Sequence, residues 1–165
     1  MITHQTLYDR MPRLATSEHH WTSNPTDDYN CVGWVRTDLK HWWSPWGFHW
    51  PDHLPKPAGS RDLHCFVALF HEMGYQECTA PDYEPGYLKI AIYSTNDVFH
   101  HVALQLRNGL WSSKVGQAHD LSHELHALDA SFFFDYTEPT LFMRREDRGE
   151  PMALQETGLL LPGRD

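Results

Sequence analysis

The sequence predicts an α+β domain in which a cysteine-bearing helix packs on a small antiparallel sheet. Three observations lead there. A polar start at Asn30 precedes Cys31 and an apolar stripe of Val32, Val35 and Leu39 at helical spacing. Residues 99–115 read as two strands broken at Asn108-Gly109, a dipeptide suited to a tight hairpin turn. Leu63, Phe66, Val67 and Phe70 recur at i, i+3, i+4 and i+7 between Ser60 and Gly74, residue types that cap helix ends.

In chain order, residues 1–29 are polar and irregular, with Asn24-Pro25 and Asp27-Asp28 as turn or cap residues. The first helix runs from Cys31 to Lys40. His41 to Pro57 holds Trp42, Trp43, Trp46, Trp50 and four prolines, which favours an ordered aromatic loop over a regular element. These tryptophans either pack the Cys31 helix against the sheet or rim a groove that stacks a sugar or peptide ring. Ser60 to Gly74 is the second helix. After a turn at Glu84-Pro85-Gly86, Tyr87 to Tyr93 is a strand with Leu88, Ile90 and Ile92 on one face. Ser94 to Asp97 turns the chain into the hairpin of Phe99–Leu106 and Leu110–Val115. Leu121 to Leu128 is a short helix and Leu141 to Met143 a last strand. The sheet thus comprises about 87–115 and 140–145, within one domain over residues 1–145. Residues 146–165 are a loosely attached C-terminal extension.

Composition sets the boundaries of function. A chain of 165 residues that is 41% hydrophobic and 13% aromatic can bury a core of its own. Thirteen Lys and Arg against twenty-two Asp and Glu give a net charge of −9, and no sizeable basic cluster precedes Arg144-Arg145, so nucleic acid is not an expected partner. Thirteen histidines make that charge fall in magnitude as pH drops through the imidazole range. Cys31, Cys65 and Cys78 are odd in number, and the first seventeen residues lack the apolar run of a signal peptide. A reducing cytoplasm is therefore the expected compartment, although export without a signal peptide would look the same. No run of apolar residues is long enough to span a membrane.

The chemistry concentrates at Cys31 and His101. A thiol at a helix start can have its anion stabilised by free N–H groups, and a nearby imidazole can take its proton, as covalent thiol catalysis requires. A buried core cysteine and an unrelated strand histidine would leave the same residues. Adjacent strand residues point to opposite faces, so only one of His100 and His101 is expected to face Cys31, and His101 fits better. Cys65 reads as a core thiol and Cys78 as a loop residue. His119, His123 and His126, at i, i+4 and i+7, could share a helical face and bind zinc with Asp120 or Glu124, yet no further ligand motif accompanies them. Neither metal nor other cofactor is expected.

Asn30-Cys31-Val32-Gly33-Trp34 followed by His101-Val102-Ala103-Leu104-Gln105-Leu106-Arg107-Asn108-Gly109 resembles the pattern of the NlpC superfamily of papain-like cell-wall peptidases. There, an Asp-Cys-Ser-Gly helix start precedes a His-Val-Gly strand, an Asn-Gly turn and a strand bearing a third polar residue. The chain also resembles an uncharacterised bacterial family with Asn-Cys-x-Ala-Trp, Glu-Pro-Gly-Tyr-x-Lys-Ile-Ala, His-Ala-Ala-x-Gln and Trp-x-Ser-Lys-x-Gly blocks. Here these fall at Asn30–Trp34, Glu84–Ala91, His101–Gln105 and Trp111–Gly116. The resemblance implies a papain-like fold, Cys31 as nucleophile, His101 as base and Ser113 as third residue. It further implies Asn30, Trp34, Trp111 and Lys114 as substrate contacts. Ser113 stands where the superfamily carries His, Asn or Gln, which leaves Lys114, Asp120 or His123 open to a role of its own.

The expected activity is cofactor-free acyl transfer on a peptide or amide, as a peptidase or amidase. Two other classes fit the same residues: a non-catalytic binding or regulatory domain that uses the aromatic loop as its interface, and a glutamine deamidase or transamidase effector.

Overall fold

The computed structural model describes residues 2–45, 47–56, 61–132 and 135–149. Its centre is a seven-stranded antiparallel path in the order β1-β6-β5-β4-β3-β8-β2. The strands are β1 (His19–Trp21), β2 (Gln76–Cys78), β3 (Tyr87–Thr95), β4 (Val98–Gln105), β5 (Trp111–Lys114), β6 (Asp120–His123), β7 (Ala130–Phe132) and β8 (Asp135–Glu146). The short β7 lies off the path and pairs with the start of β8.

Both faces of this sheet are covered. In β3, Ile90 and Ile92 enter one core while Ala91 and Tyr93 enter the other, as strand alternation requires. The first core packs α2 (Cys31–Val35) and α3 (Leu63–Glu72) on the sheet through Val32, Val35, Phe66, Leu69 and Phe70, with Trp43 and Trp50 from the aromatic loop. The second packs α1 (His4–Arg10) through Leu7 against Tyr93, Ala103, Trp111 and Leu121. Full burial of a leucine or phenylalanine contributes roughly 1.5–3 kcal/mol, so the two layers stabilise the sheet from both sides.

This is a β-rich architecture. It replaces the expected papain-like arrangement of a cysteine-bearing helix on a small sheet, because the sheet is the body of the molecule and the Cys31 helix has only five residues. The helix stops at Val35 and does not reach Lys40. Thr37 adopts φ 58° and Asp38 N–H bonds back to Gly33 C=O at 2.8 Å, closing the last turn as a left-handed C-terminal cap does.

Several other elements depart from expectation. The region expected to be irregular before Tyr29 contains α1, capped reciprocally by Thr3 and Thr6, and the edge strand β1 paired to β6. The expected helix over Leu121–Leu128 is largely strand. Leu121, Leu125 and Leu128 fit a helical period, but Asp120–His123 has strands on both sides, β5 and β1, and that pairing prevails. Only Leu125–Leu128 winds, as a 3-10 turn. The second helix begins at Leu63 under an Asp62 cap. Ser60 and Trp46 lie outside the described residues, as does most of the expected C-terminal extension; residues 146–149 are described, with Asp147 N–H bonded to Gly86 C=O. The two hairpins match the sequence signals. Asn96 and Asp97 turn β3 into β4 with φ 49° and 61°, and Gly109 takes φ 88° between β4 and β5.

Candidate active site

Asn30 caps α2 and ties it to the aromatic loop. Its Oδ1 accepts Gly33 N–H and Trp43 N–H, each at 3.1 Å, and its Nδ2 donates to Trp43 C=O at 2.7 Å. Asn30 thus holds Cys31 beside Trp43. Cys31 sits in the first core at 7% exposure. The β4–β5 ladder ends at Leu104 opposite Ser112, and the Val102 backbone, where the two strands are no longer paired, offsets part of the rise in the Cys31 thiol.

A bulge in β4 decides what surrounds the thiol. Tyr93 pairs with His101 and Ser94 with Phe99, so His100 is an extra residue. Phe99 and Val102, three apart, both enter the first core, which regular alternation would forbid. His100 and His101 consequently line the same space. The His101 ring packs edge-on against Tyr93 of the second core, while its neighbour Val102 enters the first core with Cys31, and both histidines contribute to the cavity lining.

Ser113 Oγ lies 2.8 Å from His101 Nε2 and 2.7 Å from His123 Nε2. His123 Nδ1 lies 2.7 Å from Glu124 C=O, which only accepts, so Nδ1 carries the proton and Nε2 is the acceptor. Ser113 must then donate to His123 and accept from His101 Nε2–H. The chain of bonds leaves His101 Nδ1 as an unprotonated nitrogen available to take a proton.

Electrostatics keep every member neutral at rest. Burial lowers His101 to about 3, with His123 adding to the effect. Burial lowers His123 to about 4, opposed by its bond to Glu124. Burial also raises the Cys31 thiol, and the Val102 backbone and the charges of Arg61 and Lys114 only partly offset it. The site therefore holds a thiol and a neutral imidazole, not a preformed ion pair. Among the described residues no hydrogen bond joins the thiol to an imidazole; Cys31, His100 and His101 contribute, with Arg61, Trp42, Asn30 and others, to the lining of a cavity of about 250 Å³.

The remaining expected contacts lie elsewhere. Trp34 is buried and donates Nε1–H to Ser112 Oγ at 2.9 Å. Trp111 is buried in the second core beside Phe142. Lys114 is fully buried, with Nζ bonded to Thr26 C=O at 2.7 Å and to Gly116 C=O, and burial lowers it to about 8. None of the three lines the cavity around Cys31. Asp120 accepts the Tyr29 hydroxyl at 2.6 Å; the hydroxyl on His101 belongs to Ser113.

His119, His123 and His126 do not form a helical face, since His123 ends β6 and His126 lies in the 3-10 turn, paired with Asp129 at 2.7 Å. Among the described residues no three His, Cys, Asp or Glu side chains gather as a metal site. Of the tryptophans, Trp43 and Trp50 pack in the core and Trp42 lines the cavity.

Sequence reasoning missed Arg61, left His123 among open alternatives and set His100 aside in favour of His101. Polar residues at alternate positions of two paired strands, Ser113 and His123, are a signal for the relay once β6 is read as a strand. The bulge at His100 and the arrival of Arg61 have no local signature.

Fold and site define a two-faced antiparallel sheet domain carrying a buried thiol and a hydrogen-bonded imidazole pair around one cavity. Over residues 20–143 the chain belongs to the family described as Domain of unknown function (DUF7689). No curated protein and no solved structure matches it. Among the described residues no helix is long and apolar enough to cross a membrane.

Proposed function

We propose that this protein is a thiol-dependent acyl-transfer enzyme, an amidase or peptidase in reaction class, with Cys31 as nucleophile and His101 as base. The observation that carries this reading is the shared cavity: Cys31 and His101 both line it, and Ser113 occupies Nε2 so that Nδ1 is the free basic nitrogen. Because both groups are neutral at rest, proton transfer accompanies attack. The thiol proton passes to His101 Nδ1 as sulfur bonds to the carbonyl carbon, the leaving group departs with its bonding electrons and takes that proton, and water then cleaves the thioester.

The test uses p-nitrophenyl acetate as an activated acyl donor. Wild-type protein should release p-nitrophenolate in a burst and gain one acetyl group on Cys31 by mass spectrometry, and Cys31→Ala should do neither. Equal turnover by the two proteins overturns the reading.

A second reading is a non-catalytic binding domain. The raised thiol favours it, as does the lack, among the described residues, of a thiol–imidazole hydrogen bond, and the absence of any Cys31 acylation would select it.

A further inference from the structure

Beside the Cys31 cavity lies a second one of about 350 Å³. The two share Trp42, Arg61, His100, His101 and Gly116 in their linings, so the second chamber adjoins the one at Cys31. Its apolar lining includes Leu7 of α1, Met11 at the end of that helix, Leu128 of the 3-10 turn, and Val115. The charged groups on its described lining are cationic, Arg10 and Arg61, and no acidic side chain is among them. Arg61 forms no ion pair to a described residue. Thr137, which also lines the chamber, is fully buried, and its hydroxyl has no hydrogen-bond partner among the described residues.

Each feature points to the same kind of occupant. A chamber near the lower end of the roughly 300–1,000 Å³ typical of small-molecule sites suits a short apolar chain or a single ring. Cationic groups with no ion pair among the described residues favour an oxygen anion at the mouth, and a buried hydroxyl without a partner among the described residues favours a ligand atom able to bond it. We infer that this chamber binds the apolar acyl group of the substrate, a medium-length chain whose carbonyl or product carboxylate oxygen rests at Arg61. The inference deepens the proposed activity by naming its acyl specificity, and rests on that reading for the position of the carbonyl.

Binding is measured by calorimetry on Cys31→Ala, so the result does not depend on whether Cys31 is a nucleophile. Octanoate should bind at least about tenfold more tightly than butyrate, because four further methylenes leave water. Octylamine, with the same chain and the opposite charge, should bind at least about tenfold more weakly than octanoate. Val115→Phe, a half-buried position whose ring would fill the chamber, should weaken octanoate about tenfold at an unchanged melting temperature, and Arg61→Gln should weaken both carboxylates. Octanoate binding no tighter than butyrate, or unaffected by Val115→Phe in a folded protein, overturns the inference. If octanoate binds as expected while wild-type Cys31 is never acylated, the proposed catalysis fails and the acyl chamber stands.

Discussion

Ser113 and His101, on neighbouring strands, are joined from Oγ to Nε2 at 2.8 Å. The link is between neutral groups, and such a bond contributes about 0.5–1.5 kcal/mol. A buried carboxylate in the same place would hold the ring more strongly. Ser113→Ala should therefore lower kcat/KM toward an acyl ester by about tenfold or less, since about 1.4 kcal/mol is a tenfold rate change. Cys31→Ala should remove covalent turnover. A serine variant as inactive as the cysteine variant would mean that the hydroxyl does more than orient the ring.

The relay through His123 predicts a tautomer. Nitrogen NMR should show His101 protonated at Nε2 and bare at Nδ1. His123→Phe should mix the two tautomers and slow acylation, whereas His123→Gln, which retains an acceptor for Ser113, should restore much of the wild-type pattern. A His101 spectrum identical in all three proteins would detach His123 from the site.

Burial of Cys31 predicts a slow thiol at neutral pH. The second-order rate of alkylation by iodoacetamide should keep rising about tenfold per pH unit up to and beyond pH 9, since burial places the thiol above its ordinary value of 9.0. A plateau below pH 8 would instead reveal a preformed thiolate.

Stability should fall on acidification in a defined window. In the unfolded chain His101 and His123 take up protons near 6.5, while in the folded protein they resist until about 3 and about 4. Between these limits the unfolded state holds more protons, so stability is complete above about 6.5 and is lost as pH falls toward 4. Melting temperature measured from pH 7.5 to 4.5 should decline through this range, and more gently in His123→Gln.

Tyr29 to Asp120 is a buried hydroxyl–carboxylate contact at 2.6 Å. Tyr29→Phe removes a donor from a carboxylate that is almost wholly buried and should cost about 1–3 kcal/mol by chemical denaturation. Acylation of Cys31 should change little, because this pair does not line the Cys31 cavity.

The sequence by itself determined the local features. The start of α2 at Cys31, the α3 stripe of Phe66 and Phe70, and the two hairpin turns all follow from residues within one helical turn or one tight bend of each other. It also singled out Cys31, His101 and Ser113. Tertiary structure decided what no local window holds. Leu121 obeys a helical period, yet β5 and β1 claim its backbone hydrogen bonds, so a segment read as helix became the strand that delivers His123. The single extra residue at His100 shifts the phase of β4 and brings both histidines into the lining of one cavity, against an alternation rule that is correct for unbroken strands. The acidity of each group depends on how many layers cover it. Burial raises the Cys31 thiol and lowers both histidines because α2, α3 and α1 close over two faces of one sheet, a property of the packed whole.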